Sequence, residues 1–202
     1  MIVVGLTGSI AMGKTESAKI FRSLGIPVFD SDAEVHRLYS KGGAAVEHIW
    51  RLFPDAVIDG VVDRTKLSQR VFGNPAALRS LEEAIHPLVR SKEAEFVDVC
   101  RKRGSSVVVL DIPLLFETGQ TVDVDKIVVV SASADIQRQR ALRRRGMTQA
   151  KLEQILAEQM PDEEKCARAD YVVDTSGGLD HARIQIRAII ADLMHKGRGA
   201  GP

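Results

Sequence analysis

The sequence predicts an α/β fold in which a parallel five-stranded sheet lies between layers of helices. Short apolar runs alternate with longer segments of helical periodicity, which is typical of parallel strands buried on both faces. With 202 residues and 45% hydrophobic side chains, the chain is long enough for one domain with a substantial core. The predicted strands are Ile2–Leu6, Ile26–Phe29, Ser106–Asp111, Lys126–Val130 and Tyr171–Asp174.

The loop after the first predicted strand has the spacing of a phosphate-binding P-loop. Gly8 and Gly13 are followed directly by Lys14 and Thr15, and a helix is predicted to begin near Lys14. Glycine permits the tight curl in which successive N–H groups point at phosphate oxygens, and the positive end of the helix adds to this attraction. A glycine turn before an ordinary helix is the simpler alternative. The pattern as a whole predicts a nucleoside triphosphate site.

Charge and cysteine content restrict the partners and the compartment. A net charge of +1 gives no overall reason to expect nucleic acid or an anionic membrane as a partner. Cys100 and Cys166 are far apart and form no zinc-ligand pattern, which favours a reducing compartment. The N-terminus has no signal-peptide pattern, and no apolar run is long enough to cross a bilayer. We therefore expect a cytoplasmic protein.

Two carboxylates follow the second predicted strand. Asp30 and Asp32 lie at its carboxyl end, the edge of an open α/β sheet where ligands bind. Asp32 is therefore a candidate for catalysis or metal binding. Ser31 and Glu34 have the spacing of a helix capping box, and we interpret them as structural.

The connection to the third predicted strand is several times longer than a βαβ crossover needs. It reads as helical throughout, with a long helix over about Pro75 to Lys102, and suggests an insert that binds a second substrate. Within it, His86 and Arg90 lie one helical turn apart. His86 could pack beside Pro87 instead, and Arg90 could be solvated. We predict a single domain over 1–202, with a core (1–30, 105–135, 170–195), an insert (about 31–104), a lid (about 136–168) and a disordered tail (196–202).

An acid also ends the third predicted strand. Asp111 follows a continuous apolar run, which is the Walker B arrangement that holds magnesium. The next residues include Leu114, Leu115 and Phe116, which could form a hydrophobic wall for a substrate or simply core beneath the insert.

The helix after the fourth predicted strand is rich in arginine. Such a run is most often a solvated face, and clustered arginines can also bind nucleic acid, although few aromatic residues accompany them here. In a phosphotransferase they could instead close over the triphosphate as a lid. The helix carries Gln137, Arg138, Arg140, Arg143, Arg144 and Arg145.

After the last strand, Asp174–Gly177 mimics the DxxG motif of a GTPase switch but lies too late in the chain, and we interpret it as a turn.

Together these motifs resemble one family, the dephospho-coenzyme A kinases, which catalyse the last step of coenzyme A biosynthesis. The resemblance extends from about Val4 to Leu179, and the segments HPLVR and IPLLFE are more specific than the P-loop. The chain departs from the family at Ser9 and Ala11, where glycine is usual, so Ala11 must tolerate the dihedral angles of the loop. The chain also has Met12 and Glu16 at two positions where the family usually has serine or threonine. The matching residues are Gly5–Glu16, Asp30–Asp32, Asp63, Arg64, Leu67, Phe72, His86–Arg90, Ile112–Glu117, Gln137, Arg140, Gln159, Ala169 and Asp170.

The resemblance implies that ATP and Mg²⁺ are used to phosphorylate the ribose 3′-hydroxyl of dephospho-coenzyme A. Asp32 would be the base, Lys14 and Arg140 would stabilise the phosphoryl group in transfer, and Thr15 and Asp111 would bind Mg²⁺, in part through water. The implied acceptor contacts are Asp32, His86, Arg90, Leu114, Leu115 and Phe116. The predicted ATP-binding residues are Gly8, Ser9, Ala11, Met12, Gly13, Lys14, Thr15, Glu16, Arg140 and Arg144.

Two other functions are compatible with parts of the pattern. A nucleoside monophosphate kinase would share the fold and the lid. A non-catalytic nucleotide switch is less favoured, because the sequence contains no N-K-x-D guanine motif. We expect a monomer whose partner is a small-molecule substrate, while the preferred triphosphate and the decisive arginine among Arg140, Arg143 and Arg144 stay open.

Overall fold

The structure is a computed structural model that describes residues 1–198, apart from the side chains of residues 120, 122 and 196–198. The tail predicted to be disordered begins inside the last helix, and residues 199–202 lie outside the described residues. The elements in chain order are β1 (Ile2–Thr7), α1 (Lys14–Ser23), β2 (Val28–Asp30), α2 (Ser31–Leu38), α3 (Ala45–Leu52), β3 (Val57–Ile58), β4 (Val61–Val62), α4 (Arg64–Val71), α5 (Pro75–Lys102), β5 (Val107–Asp111), β6 (Lys126–Ser131), α6 (Ala134–Leu142), α7 (Gln149–Glu158), α8 (Asp162–Arg168), β7 (Tyr171–Asp174) and α9 (Gly178–Arg198).

The described residues form a five-stranded parallel sheet with the strand order β2-β5-β1-β6-β7. β1 is the central strand, and its neighbours are β5 and β6. The predicted fold class is therefore confirmed. Since the P-loop follows the central strand, the ends of both neighbouring strands lie beside it.

The core is built from the apolar runs that predicted the strands. Val4, Val109 and Val128 have no exposed surface, and each belongs to a different strand of the sheet. Helices α1 and α9 contribute Phe21 and Ile186, both fully buried, to the same cluster. Burial of these side chains stabilises the sheet and so fixes the end of β1, where the P-loop begins.

The start of α2 differs from the sequence-based interpretation. The N-cap residue is Asp30, whose carboxylate accepts a hydrogen bond from the N–H of Ala33 at 2.9 Å. The predicted capping box of Ser31 and Glu34 is therefore wrong. Aspartate and serine are equally good caps, and β2 begins two residues later and ends one residue later than the predicted strand Ile26–Phe29, so that α2 follows directly after Asp30.

A small hairpin was not predicted. Strands β3 and β4 pair antiparallel across Asp59 and Gly60, which both have positive φ, 51° and 77°. Strands of two residues are too short to show periodicity, so the expectation of an entirely helical insert is wrong here. The Asp-Gly pair is a known hairpin signal that could have revealed it.

The chain divides into two compact units. The first contains Met1–Phe29 and the chain from Val99 onward, including the main sheet and helices α6, α7 and α8. The second contains Asp30–Asp98, a region close to the predicted insert. Among the described residues, no helix is both long enough and apolar enough to cross a membrane.

Candidate active site

Both P-loop glycines are required by their surroundings. A Cβ atom added to Gly8 would lie 2.5 Å from Cγ2 of Val130 and 2.6 Å from its carbonyl oxygen, so a larger residue does not fit. Gly13 has a φ of 99° and is the N-cap residue of α1. This left-handed conformation favours glycine. The first N–H groups of α1, which lack partners inside a helix, therefore open at the loop, where an anion can bind them.

Lys14 forms an ion pair with Asp111, from its Nζ atom to Oδ1. The two side chains are 16% and 6% exposed, so the pair is shielded from solvent. Asp111 is the last residue of β5 and lies opposite Leu6 of β1. This register brings the Walker A lysine and the Walker B carboxylate together at one edge of the sheet.

The remaining predicted residues of the loop and of the first turn of α1 differ in exposure. Thr15 and Glu16 are exposed, and Glu16 forms a 2.7 Å ion pair with Lys19. Ser9 and Met12 are 4% and 2% exposed. A ligand at these two positions would therefore meet backbone groups rather than side chains.

Ala11 adopts a φ of 63° and is 6% exposed. This answers the question raised by the missing glycine, because the residue takes up the left-handed conformation. Its side chain packs in a cluster with Ala141 of α6 and Leu152 of α7. The P-loop is thus joined by apolar contacts to two helices of the predicted lid.

Arg140 is held by Thr175, which follows β7. Its Nη1 donates to the Thr175 hydroxyl at 2.9 Å, and its Nη2 donates to the Thr175 carbonyl at 2.8 Å. The same hydroxyl lies 2.7 Å from the carbonyl oxygen of Met12 and 3.1 Å from that of Ser131. One buried side chain therefore connects the P-loop to the predicted catalytic arginine. Arg144, the other arginine predicted to bind ATP, is exposed.

Glu117, the last residue of the IPLLFE segment, supports the end of the predicted lid. Its Oε1 atom accepts a hydrogen bond from the N–H of Met160 at 2.9 Å and lies 2.8 Å from Nζ of Lys165, a residue with no exposed surface. Burial alone would raise the pKa of Glu117, but these interactions outweigh burial and lower it.

The predicted acceptor residues preceding Glu117 lie in different environments. Leu114 is 40% exposed, Phe116 is half-buried and Leu115 has no exposed surface. A Cβ atom added to Gly5 of β1 would lie 3.2 Å from Cδ2 of Leu115, so the Leu115 side chain packs against β1. Leu115 belongs to the core in the structure, and its contact with a substrate stays a prediction.

Asp32, His86 and Arg90 belong to the second compact unit. Asp32 is exposed in the first turn of α2, beside Ser31, whose buried hydroxyl donates to Glu93 of α5 at 3.0 Å. On α5, His86 is half-buried and Arg90 is exposed. Their roles at an acceptor also stay predictions.

Comparison with known proteins identifies the family. A family model described as dephospho-CoA kinase matches residues 2–181, nearly the whole chain. The chain belongs to the dephospho-CoA kinase family. The predicted kinase activity, its place at the final step of coenzyme A biosynthesis and the use of ATP are confirmed at this level.

Individual relatives agree with this assignment. A dephospho-CoA kinase of Mesorhizobium japonicum is 56% identical over 193 residues, which cover 96% of this chain and 97% of the relative. A crystal structure of a Thermus thermophilus protein aligns with a TM-score of 0.82 at 35% identity, covering 95% and 97% of the two chains. A dephospho-CoA kinase structure from Campylobacter jejuni, 22% identical, shares the fold with a TM-score of 0.64 over 95% and 96%.

In this member of the dephospho-CoA kinase family, several residues around the P-loop form hydrogen bonds, although the sequence pattern predicted no role for them. Gln137 and Gln159 contact the backbone of Ile10, Thr175 contacts Met12, and Thr7 donates to the carbonyl of Pro113 at 3.1 Å. The two glutamines belong to the family pattern, but their partners lie more than 120 residues away in sequence. No local spacing could indicate those contacts.

Proposed function

We propose that this enzyme transfers the γ-phosphoryl group of ATP to the ribose 3′-hydroxyl of dephospho-coenzyme A, with Asp32 as general base. The new bond joins the 3′-oxygen to phosphorus, the bond to the β,γ-bridging oxygen breaks, and the hydroxyl proton passes to Asp32. The observation that carries the proposal is the Lys14–Asp111 ion pair beside the P-loop. It supplies the positive and negative groups that a phosphoryl donor and its metal need at one point.

Lys14 and Arg140 would stabilise the charge that spreads over the transferred group. Two hydrogen bonds from the guanidinium of Arg140 to Thr175 hold this side chain in a defined position. The P-loop N–H groups and the start of α1 would bind the β and γ phosphates. Fixed donors of this kind need no rearrangement during the reaction, which is the main source of rate acceleration in phosphoryl transfer.

Mg²⁺ is the proposed metal, with Thr15 and Asp111 as its protein oxygen ligands. Thr15 offers a hydroxyl and Asp111 a carboxylate, and Mg²⁺ usually binds one or two protein oxygens together with substrate phosphates and water. When bound, the ion neutralises charge on the phosphates.

The acceptor site is proposed to use Asp32, His86, Arg90, Leu114, Leu115 and Phe116. The exposed guanidinium of Arg90 suits a phosphate of the acceptor, and the exposed Leu114 suits an apolar portion. The anchoring of Ser31 by Glu93 supports the role of Asp32, because it fixes the turn that carries the carboxylate.

The test compares acceptors and variants in a coupled ADP-release assay. With Mg-ATP, dephospho-coenzyme A should be phosphorylated, whereas AMP, CMP and UMP at the same concentration should not. Asp32→Asn should lower kcat by about 10²–10⁴-fold with little change in ATP affinity, since a general base contributes that much. Asp59→Asn is the control, because Asp59 is an exposed carboxylate in the same compact unit and asparagine tolerates its positive φ. Efficient phosphorylation of a mononucleotide, or full activity of Asp32→Asn, would refute the proposal.

We also propose that the enzyme acts as a cytoplasmic monomer. Both cysteines, Cys100 and Cys166, are free thiols, in agreement with a reducing compartment. Light scattering coupled to gel filtration would measure the mass directly.

A further inference from the structure

The backbone of Ile10, in the middle of the P-loop, is held from two sides by glutamine side chains. Its N–H donates to Oε1 of Gln159 at 3.0 Å, and its carbonyl oxygen accepts from Nε2 of Gln137 at 2.9 Å. A backbone N–H can only donate and a carbonyl can only accept, so each amide has one possible orientation. Gln159 must present oxygen and Gln137 must present nitrogen.

The two glutamines come from different elements. Gln137 lies on α6 and is 7% exposed, while Gln159 is the residue that ends α7. Gln159 is itself positioned by the next residue, because the N–H of Met160 donates to Glu117. The polar contacts therefore belong to an ordered network rather than to mobile surface side chains.

These contacts determine which groups of the P-loop face a phosphate. Since the N–H of Ile10 is used by Gln159, it is not a phosphate donor. Holding Ile10 on both sides also fixes the peptide bond that leads into Ala11. Ala11 has a positive φ, a conformation that costs more free energy for alanine than for glycine. The following groups, up to the first turn of α1, are then presented in one conformation.

We propose that Gln137 and Gln159 are positioning residues that hold the P-loop in its triphosphate-binding conformation. The inference rests on the proposed function of the loop as the ATP site. Neither glutamine needs to touch ATP. Each acts through Ile10, and the requirement at the two positions is opposite: a donor at Gln137 and an acceptor at Gln159.

The same substitution at the two positions tests this polarity. Gln137→Glu replaces the donor by a carboxylate oxygen that repels the Ile10 carbonyl, whereas Gln159→Glu keeps an acceptor for the Ile10 N–H. Titration calorimetry with Mg-ATP alone should show a Kd raised about tenfold or more for Gln137→Glu, as expected for a lost buried hydrogen bond. Gln159→Glu should stay within about threefold of wild type, since its hydrogen bond is retained. Gln139→Glu, an exposed position on α6, controls for the added charge.

Neutral variants separate positioning from folding. Gln137→Met and Gln159→Met remove each hydrogen bond with little change in volume, and both should raise the Kd for ATP by about tenfold. The KM for ATP should rise with it, while the KM for dephospho-coenzyme A stays near the wild-type value. A purely structural role would lower the unfolding temperature without this separation.

Equal Kd values for Gln137→Glu and Gln159→Glu, or unchanged Kd values in both methionine variants, would overturn the inference. Because ATP binding is measured without an acceptor, the result does not depend on the acceptor's identity. A protein that shows the expected Kd pattern but does not phosphorylate dephospho-coenzyme A would refute the proposed function alone.

Discussion

The P-loop and the turn that carries Asp32 are held in place in different ways. The P-loop is fixed by side chains distant in sequence: Gln159 is 149 residues from Ile10, and Thr175 is 163 residues from Met12. The turn at Asp32 is fixed mainly by neighbours. Asp30 caps helix α2 by accepting a hydrogen bond from the N–H of Ala33, three residues further along the chain. The hydrogen bond from Ser31 to Glu93 spans 62 residues, but both residues belong to the same compact unit.

The two sites should therefore respond differently to substitution. The phosphate-binding side depends on the completed tertiary fold, so a substitution far along the chain can disturb it. The turn that carries Asp32 is held by contacts that include the Asp30 helix cap and the buried hydrogen bond from Ser31 to Glu93. Substitutions there should alter turnover without altering ATP affinity, and the following predictions separate the two cases.

The largest effect is expected at Glu117. Glu117→Gln leaves the buried Lys165 without a counter-charge, and removing one partner of such a pair typically costs about 3 kcal/mol. Chemical denaturation at pH 7 should show this loss of unfolding free energy. Glu117→Gln combined with Lys165→Met should recover much of it, and a double variant as unstable as the single one would contradict the explanation.

The same residue gives a pH dependence. Burial acts to raise the pKa of Glu117, but the interactions with Lys165 and Met160 dominate, so its folded-state pKa lies below that of the unfolded chain. Ionised Glu117 therefore stabilises the folded protein above the ordinary carboxylate pKa, and this stabilisation is lost as the pH falls through the lowered value. The stability difference between wild type and Glu117→Gln should shrink as the pH falls below the ordinary glutamate pKa and through the lowered pKa of the folded protein. A constant difference would exclude this ionisation as its cause.

A smaller effect is expected at Thr175. Thr175→Val keeps the shape but removes the hydroxyl that contacts Arg140 and the P-loop carbonyl of Met12. Leaving these buried groups unpaired should cost about 2 kcal/mol, or roughly 30-fold in kcat/KM for ATP. Thr175→Ser, which keeps the hydroxyl, should lie within about threefold of wild type. Equal losses in both variants would show that the methyl group, and not the hydroxyl, is required.

The smallest effect is expected on the side of Asp32. Ser31→Ala removes the hydrogen bond to Glu93 and should reduce kcat by about fivefold, equivalent to roughly 1 kcal/mol. The Kd for ATP should be unchanged. Ser40→Ala, at an exposed serine just beyond the other end of α2, is the matched control. A Kd for ATP that rises in Ser31→Ala would contradict the independence of the two sides.

The parts of the fold that follow from local pattern were predictable. The apolar runs gave the five strands of the main sheet, and Gly8, Gly13, Lys14 and Thr15 gave the P-loop. Asp111 was predicted to be a Walker B acid because it ends a continuous apolar run, whereas its place beside Lys14 became known only from the strand order. The family resemblance supplied the substrate, which spacing alone does not contain.

The errors and omissions have physical reasons. The prediction of a capping box was wrong because Asp30 and Ser31 are adjacent and cap helices equally well. The residue at which β2 ends determines which of the two is the N-cap residue. Thr175 was interpreted as part of a turn because its partners, Arg140 and Met12, become neighbours only in the assembled sheet. Contacts between distant segments leave no periodic signal in the sequence.

Ala11 shows how such assembly shapes a local conformation. A left-handed alanine is less stable than a left-handed glycine by about 1 kcal/mol, and its methyl group offsets this cost only while it stays packed against Ala141 and Leu152. The bend at Ala11 is therefore a property of the whole arrangement and not of its own residues. In an isolated peptide with the P-loop sequence, Ala11 would leave the left-handed conformation. Replacing Leu152 by a smaller residue would make that conformation less stable in the protein, although Leu152 is 141 residues from Ala11 in the chain.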